Sequence, residues 1–292
     1  MIASVKSIWR FPVKSFHGER LDKAELTSSG IFGDRAYGLI DTETGKVVSA
    51  KSVKLFPDLL ECSASYNNPP LLGQELPSIL ITLPNGTKVS SNSSDVNQVL
   101  SDFFGRNVTL AKNAPIDYTI DQYHPDLENL DPSGHRDTSV EQKAGAALFK
   151  SMGIDSPIPD ESFMDVFPLS LITTSTLEEM TRISPETNFD PRRFRMNLVV
   201  QTEQLGFLEN TWVGKTISIG EHVNIMVTMP DPRCVMTTLA QGEIPKDSNV
   251  LRTLVKHNRL DVMGAGRYPC AGVYAVAGNG GTISIDDTVE VR

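Results

Sequence analysis

The sequence predicts a β-rich α+β protein with two domains, an N-terminal β-barrel domain over residues 1–120 and a second β-barrel with peripheral helices over residues 121–292. Two observations predict this class. Short segments of alternating apolar and polar residues recur between turn residues, which is typical of half-buried strands. Helical spacing of apolar residues is confined to a few short stretches. At 292 residues the chain can bury more than one core.

The first half of the chain carries many strand signals and one helix signal. Gly-Asp before Arg35 marks a tight turn, and the strand that follows ends at Asp41. Asn85-Gly86 between two alternating runs predicts a hairpin. A helix is predicted to begin at Val96 and to end at Gly105. This pattern predicts a small β-barrel or an open sheet for the N-terminal unit.

The second half contains the remaining helix signals. Two capping-box patterns predict one helix from residue 139 to about residue 152 and another from residue 175 to about residue 182. Apolar residues at helical spacing predict a third helix over residues 249–258. Alternation predicts strands at residues 169–174 and 272–276.

A short sequence pattern that occurs twice, called the internal echo, predicts part of the second barrel. Residues 216–223 recur in pattern at residues 282–289, each as strand, polar turn and strand. Each copy is therefore predicted to form a hairpin-like corner. Together they predict pseudo-symmetric halves of a small barrel.

The charge balance limits the classes of partner. The formal net charge is −9, from 36 acidic and 27 basic side chains. This excess of acid disfavours general binding to nucleic acid or to anionic membranes, which requires a positive surface. No apolar run approaches the roughly 20 residues that a membrane span needs. The first residues lack the pattern of a signal peptide. A cytoplasmic protein without a membrane span is predicted.

The cysteine count also favours a cytoplasmic protein. Cys62, Cys234 and Cys270 are too few and too scattered for a disulfide framework. No Cys-x-x-Cys pair is present, so structural zinc and iron–sulfur sites of the usual spacing are disfavoured. A reducing compartment fits this pattern.

Cys234 follows a turn that two prolines make rigid, and it lies directly beside Arg233. A neighbouring cation favours the thiolate form. Three interpretations remain open on this pattern. The thiol could be buried and inert. It could be a nucleophile, with His222 or His257 as its base. It could bind a soft metal whose other ligands come from a cofactor such as molybdopterin.

Residues 190–200 contain a candidate anion site. If the chain is extended from Arg193 onward, Arg193, Arg195 and Asn197 lie on one face of a strand. The alternative is an exposed edge strand protected by charge. For Lys14 the alternative to a site residue is a solvated turn lysine, and for Arg35 it is an ion pair with a neighbouring aspartate.

Five short motifs occur in the order found in MOSC-domain proteins, and the sequence resembles that family over essentially its whole length. Within that family it resembles the mitochondrial amidoxime reducing components and their bacterial counterparts. The motifs are Phe11-Pro12-Val13-Lys14-Ser15, Gly33-Asp34-Arg35, Phe194-Arg195-Met196-Asn197, Arg233-Cys234-Val235-Met236-Thr237-Thr238 and Gly272-Val273-Tyr274.

The resemblance implies a MOSC N-terminal β-barrel domain followed by a MOSC domain. It also implies a molybdenum cofactor, Mo-molybdopterin, with Cys234 as both metal ligand and catalytic residue. Cations and hydroxyl or amide donors are what a buried phosphate and a pterin edge require. The residues implied to bind the cofactor are Lys14, Ser15, Arg35, Arg195, Asn197, Arg233 and Tyr274.

The activity implied by the resemblance is reduction of small N-hydroxylated compounds, namely hydroxylamines, amidoximes and N-hydroxylated bases. The sequence contains no targeting extension and no ferredoxin-like group of four cysteines. A separate electron donor is therefore expected, either a flavin or iron–sulfur reductase or a cytochrome b5-like protein. Two alternatives remain, a sulfur carrier or transferase that uses a persulfide on Cys234, and a molybdenum cofactor carrier.

Overall fold

The structure is a computed structural model that describes residues 3–123, 125, 127–130, 139–142 and 149–292, with residues 139–142 described by their backbone alone. Numbered in chain order, the helices are α1 (Val96–Phe104), α2 (Thr174–Ile183) and α3 (Asn249–His257). The strands are β1 (Ala3–Arg10), β2 (Glu19–Leu21), β3 (Lys23–Thr27), β4 (Gly30–Ile31), β5 (Gly38–Asp41), β6 (Ser63–Tyr66), β7 (Ile79–Thr82), β8 (Lys88–Ser90), β9 (Val108–Ala111), β10 (Thr119–Gln122), β11 (Ser139–Gln142), β12 (Leu169–Thr173), β13 (Leu198–Gln201), β14 (Thr216–Ile219), β15 (Val223–Pro232), β16 (Arg259–Asp261), β17 (Arg267–Asn279), β18 (Gly281–Ser284) and β19 (Thr288–Val291).

Seven of these strands close into a barrel. Their order is β12, β13, β1, β19, β14, β15 and β17, and β17 pairs again with β12. Strands β12 and β13 are parallel, and the other neighbours are antiparallel. Closure leaves none of the seven as a free edge. Alternate residues fill the interior, among them Val5, Ile8, Val200, Ile225 and Val273.

Strand β1 ties the two ends of the chain together. It lies between β13 and β19, so the first residues of the chain complete a barrel built mainly from the second half. The predicted first domain therefore contributes a strand to the second. The predicted boundary at residue 120 stays a prediction.

The N-terminal segment adds smaller sheets. Strands β6, β7 and β8 form one, and β5 pairs with β9. Together with α1 they enclose a second core, whose members include Leu39, Ile79, Ile81 and Leu100. The predicted hairpin is present between β7 and β8, and the predicted helix α1 ends at Gly105, whose φ of 63° is left-handed. The β-rich class is confirmed.

One predicted helix is wrong at its start. Residues 139–142 form strand β11, which pairs with β10 in antiparallel register. A capping-box pattern is a local preference, and strand pairing with a distant segment overrides it here. Residues 143–148 of that prediction lie outside the described part of the chain. The other two predicted helices are present as α2 and α3, and α2 begins one residue earlier, capped by Thr173, whose hydroxyl accepts from the Thr176 N–H at 3.2 Å.

The internal echo has only one hairpin. Strands β14 and β15 pair around their turn as predicted. Strands β18 and β19 do not pair with each other, because β18 joins β3 whereas β19 joins the barrel between β1 and β14. The second copy is thus a corner where the chain changes sheets. The prediction of pseudo-symmetric halves is wrong.

Within the described residues, none of the helices combines the length and apolar character that crossing a membrane requires.

Candidate functional site

A cavity of about 430 Å³ lies where the N-terminal loops meet the barrel strands. It brings together residues that are far apart in the chain. All eight residues that the resemblance implies for the cofactor site line it, namely Lys14, Ser15, Arg35, Arg195, Asn197, Arg233, Cys234 and Tyr274.

Two N-terminal loops are joined by backbone hydrogen bonds to form one wall. The Lys14 N–H donates to the Tyr37 carbonyl at 2.8 Å, and the Arg35 N–H donates to the Phe11 carbonyl at 2.7 Å. Ser15 and Arg35 have left-handed backbones, with φ of 65° and 48°. Non-glycine residues rarely adopt this conformation, which costs roughly 1 kcal/mol or more. The fold therefore accepts backbone strain where these two side chains reach the cavity.

Asp34 is the centre of this wall. Its carboxylate is buried, accepts the Phe11 N–H at 2.6 Å and the Asn197 amide at 3.0 Å, and pairs with Arg35. The ion pair foreseen as an alternative for Arg35 is thus present, although it is largely buried rather than exposed. A buried carboxylate with several donors fixes the direction of each. Asp34 therefore orients Arg35 and Asn197 together.

Asn197 uses both ends of its amide within the protein. Its oxygen accepts from the backbone N–H and the hydroxyl of Ser170, each at 3.2 Å. Its nitrogen donates to the Trp9 carbonyl at 3.3 Å and to Asp34. Asn197 joins β12 to the N-terminal loops, and it lines the cavity as a rigid part of the wall.

Arg195 retains more of its donors. One terminal nitrogen donates to the Phe16 carbonyl at 2.6 Å. Its guanidinium carbon lies 4.4 Å from the centre of the Phe11 ring, and that of Arg35 lies 4.7 Å from the same ring. Burial and the nearby Arg35 lower the pKa of Arg195 to about 9. The charge of Arg35 is paired with Asp34, so Arg195 is the guanidinium on this ring whose charge makes the wall electropositive.

The predicted extended face from Arg193 onward is wrong. Residues Pro191–Phe194 form a 3₁₀ turn, Arg195 is left-handed with a φ of 52°, and the strand begins only at Leu198. Asp190 caps the turn and proline occupies its first position, which is the usual start of a helical turn. Arg193 consequently donates to backbone carbonyls, those of Asn188, Thr237, Leu239 and Pro245.

Lys14 is buried, so the alternative of a solvated turn lysine is wrong. Its ammonium donates to the Phe163 carbonyl at 3.0 Å and pairs with Asp165. Lys51 lies 3.6 Å from the other oxygen of Asp165. Burial lowers the pKa of Lys14. Burial acts to raise the pKa of Asp165, but the two lysines outweigh it and lower that pKa. Sequence patterns did not indicate Lys51 or Asp165, because only the tertiary fold brings them to the site.

Cys234 lies two residues after the end of β15 and is the N-cap of a 3₁₀ turn over Val235–Thr238. Its thiol is free and half-buried, and it lines the cavity. Burial raises the pKa of this thiol. Lys51 and Arg233 act to lower this pKa, as expected of neighbouring cations, but burial outweighs them.

The Arg233 guanidinium is bonded to the protein on both sides of the Cys234 turn. Its guanidinium donates twice to the Ala271 carbonyl, at 2.8 and 2.7 Å, and once to the Phe194 carbonyl at 3.0 Å. Its charge is paired with Asp231 at 2.6 Å. These contacts hold the Cys234 turn against β17. Arg233 acts as a brace for this wall of the cavity.

Tyr274 and Asp231 complete the same wall. The Tyr274 ring stacks on Phe167, with ring centres 5.3 Å apart, and its phenol hydrogen-bonds the Asp231 carboxylate. Burial raises the pKa of Tyr274 well above its ordinary value. Burial also raises the pKa of Asp231 to about 6, although Arg233 opposes this. Sequence reasoning missed Asp231, although it lies three residues before Cys234. The predicted rigid turn at Pro230 and Pro232 is wrong, because both prolines and Asp231 belong to the end of β15.

The alternatives for Cys234 can be compared with this geometry. His222 is exposed in the β14–β15 turn beside Glu221, and His257 is exposed at the end of α3. Neither lines the cavity, so neither offers a base for a nucleophilic thiol. In the described part of the chain, no group of three histidine, cysteine or acidic residues could hold a metal ion without further ligands. A metal at Cys234 would need a cofactor to supply the rest.

Comparisons with known proteins agree with the sequence motifs. The model of the MOSC N-terminal beta barrel domain matches residues 2–110, and that of the MOSC domain matches residues 159–290. Mitochondrial amidoxime reducing component 2 of Macaca fascicularis is 25% identical, over 99% of this chain and 83% of its own length. Mitochondrial amidoxime-reducing component 1 of Homo sapiens is 23% identical, over 99% and 82%.

Among solved structures, the YuaD protein from Bacillus subtilis is similar, with a TM-score of 0.45 and 11% identity over 100% of this chain and 96% of that one. The two domain models follow each other in the chain and together match most of it. The chain belongs to the MOSC-domain proteins.

Proposed function

We propose that the protein is a molybdenum cofactor-dependent oxidoreductase that reduces N-hydroxylated compounds such as hydroxylamines, amidoximes and N-hydroxylated bases. The observation that carries this proposal is a free cysteine, Cys234, in a cavity that is also lined by Lys14, Arg35 and Arg195. Relatives named as amidoxime reducing components support the same reaction class.

The chemistry of these side chains fits molybdopterin. A thiol is a suitable ligand for a soft metal, and guanidinium and ammonium groups are suitable partners for a phosphate. The guanidinium of Arg195 donates to only one protein acceptor among the described residues, so it keeps donors for a ligand. When bound, the cofactor supplies a redox-active metal and the dithiolene sulfurs that hold it.

The side chains of this protein would then divide their roles. Cys234 would bind the metal as a thiolate, which requires loss of the thiol proton on binding. Lys14, Ser15, Arg35 and Arg195 would hold the phosphate and the pterin edge. Asn197, Arg233 and Tyr274 would keep the walls rigid, since their polar groups are already bonded to the protein. A fixed electropositive wall costs no reorganisation during the reaction.

The electron source would be a separate protein, either a flavin or iron–sulfur reductase or a cytochrome b5-like carrier. Reduction of an N–OH group consumes two electrons and two protons and releases one water. None of the acidic or basic side chains of the cavity is itself an electron donor. A partner must therefore deliver the electrons.

The proposal is tested by reduction of benzamidoxime with reduced methyl viologen as the electron donor. The protein is produced in a host that makes molybdenum cofactor. Turnover is expected for the natural sequence and for Cys62→Ala, which removes a buried thiol from the other core. Turnover should be absent for Cys234→Ala. Equal turnover by the Cys234 and Cys62 variants would refute the role of Cys234.

The same preparations test the two alternatives. A labile extra sulfur on Cys234, seen by mass spectrometry in protein that contains no molybdenum, would support a sulfur carrier or transferase. Protein that contains molybdopterin but reduces no N-hydroxylated substrate with any donor would support a cofactor carrier.

A further inference from the structure

A two-stranded ribbon separates the cavity from a second feature of the surface. The ribbon consists of β16 and the first part of β17, which pair Arg259 with Pro269, Leu260 with Tyr268 and Asp261 with Arg267. Its apolar side packs Leu260 and Tyr268 into the cluster around Phe167, and Tyr268 lines the cavity. The other side faces solvent. The ribbon therefore has the proposed cofactor site on one side and an exposed surface on the other.

The exposed side of the ribbon is basic. Together with the end of α3 it surrounds a shallow hollow of about 390 Å³. We define the basic hollow by its four basic side chains, Lys256, His257, Arg259 and Arg267. The chain as a whole carries a formal net charge of −9. A positive cluster on an acidic protein creates a local field that selects negatively charged partners.

The acidic residues near the basic hollow are engaged elsewhere. Asp261 accepts the Gly264 N–H at 2.8 Å, and Glu179, on the neighbouring helix α2, pairs with Arg182 at 2.6 Å. Among the described residues, no carboxylate forms an ion pair with Lys256, Arg259 or Arg267. The positive charge of the hollow is therefore available to a partner.

The two arginines of the ribbon are held side by side. Arg259 donates to the Arg267 carbonyl at 3.0 Å, and Arg267 donates to the Arg259 carbonyl at 2.7 Å. The buried Nε of Arg259 has no acceptor among the described residues. Burial of a charged donor without an acceptor is unfavourable, so the protein does not fully satisfy this guanidinium.

Helix stabilisation explains only part of this cluster. Lys256 and His257 lie in the last turn of α3, where cations interact favourably with the helix dipole. That role does not require Arg259 or Arg267, which lie on the ribbon. Their hydrogen bonds to backbone carbonyls tie the two strands of the ribbon but leave the positive charge of Arg259 and Arg267 without an ion-pair partner among the described residues.

We propose that the basic hollow is the docking surface for an acidic one-electron redox protein that supplies electrons to the cavity. This inference rests on the proposed function. Carboxylates of the partner would pair with Lys256, Arg259 and Arg267, and only the ribbon would separate the partner from the cavity. Two reduced partner molecules would each lose one electron for every N–OH bond cleaved. Two protons from solvent complete the water that is released.

The experiment measures binding directly, with a plant-type [2Fe–2S] ferredoxin as the acidic probe. Calorimetry at low salt gives its dissociation constant for the natural protein, for Lys256→Glu and for Arg267→Glu. Each variant is expected to bind about tenfold more weakly, as loss and reversal of one interfacial charge predicts. The control is Lys88→Glu, an equally exposed charge reversal on β8, which should bind as the natural protein does.

Three results would overturn the docking surface. The first is equal affinity of all four proteins for ferredoxin. The second is a loss of affinity in the Lys88→Glu variant as large as that in the hollow variants. The third is no binding of ferredoxin by a protein whose hollow binds inorganic phosphate. Thermal unfolding of each variant verifies that it is folded. Viologen-driven reduction by the natural protein is measured separately, so failure of the proposed function is distinguished from failure of docking.

Discussion

Two arginines that are two residues apart behave in opposite ways. Arg193 is 1% exposed and donates four hydrogen bonds to backbone carbonyls, which join its turn to the Cys234 turn and the segment beyond it. Arg195 donates one hydrogen bond and otherwise lies over an aromatic ring at the cavity wall. The first guanidinium holds the fold together, and the second remains available to a ligand.

The comparison extends to the rest of the cavity. Arg233 resembles Arg193, because its donors go to backbone carbonyls and its charge is paired with Asp231. Arg35 lies between the two types, because it lies on the same Phe11 ring as Arg195 but its charge is paired with Asp34 and it donates to the Arg195 carbonyl at 3.2 Å. Residue type alone therefore does not identify a ligand-binding cation. What distinguishes such a cation is how many protein acceptors its donors already bond.

The largest expected effect follows from Arg193→Ala. The substitution leaves four carbonyls that accept from the buried guanidinium without that donor, and each charge-assisted bond contributes about 1.5–3 kcal/mol. The free energy of unfolding in urea should fall by at least about 4 kcal/mol. The matched control is Arg192→Ala, which removes a half-buried ion pair with Asp190 and should cost about 1 kcal/mol. Similar losses in both variants would contradict the structural role of Arg193.

A smaller effect on stability, with a larger effect on cofactor content, follows from Arg195→Ala. One hydrogen bond to Phe16 and one ring contact are lost, so the free energy of unfolding should fall by only about 1–2 kcal/mol. Loss of a cation from the proposed phosphate site should reduce bound pterin at least about tenfold. Pterin fluorescence after denaturation measures this. Normal pterin content in a folded Arg195→Ala protein would contradict the distinction between the two arginines.

The smallest effect concerns Glu209, a buried group that, like Arg193, is hydrogen-bonded within the protein. Its carboxylate accepts from Thr173 and Thr176, each at 2.6 Å, and from the Gly272 N–H at 3.0 Å. Burial raises its pKa above the ordinary value of 4.5. The folded protein therefore binds this proton more tightly than the unfolded chain, and stability is lost as pH rises from 4.5 through the raised pKa.

Glu209→Gln removes that titration. Relative to the natural protein, the variant should gain stability as pH rises through this window, whatever constant offset the amide introduces. Urea unfolding at several pH values measures the difference. Glu178→Gln, an exposed carboxyl on α2, is the control and should follow the natural protein in parallel. A stability difference between the Glu209→Gln variant and the natural protein that does not vary with pH would contradict the role of burial.

Local chemistry explains which parts of the fold were predictable. The Asn85-Gly86 hairpin, the end of α1 at Gly105 and helix α3 depend on turn geometry or apolar spacing within a few residues. Strand β11 depends on pairing with β10, and the corner between β18 and β19 depends on strands far away in the chain. Sequence periodicity does not report such pairing, so these were predicted wrongly.

The residues of the candidate site also divide into those that local sequence indicates and those that only the tertiary fold brings together. The sequence indicates Cys234 and Arg35 as site residues, because each follows turn-forming residues in the sequence. Both line the cavity. Lys51 and Asp165 occupy no motif, and they reach the site only because two distant loops pack together. The raised pKa of Cys234 could not be inferred from the neighbouring Arg233, because burial in the folded protein outweighs the effect of the nearby cations.

The central claim is that Cys234 holds molybdenum that a bound pterin delivers to this cavity. The most direct test is molybdenum analysis of the purified natural protein, Cys234→Ala and Cys62→Ala, all produced in a host that makes the cofactor. We expect about one molybdenum per chain in the natural protein and in the Cys62 variant, and strong loss in the Cys234 variant, because the thiolate contributes to binding. Full molybdenum content in Cys234→Ala, or none in the natural protein, would contradict the account.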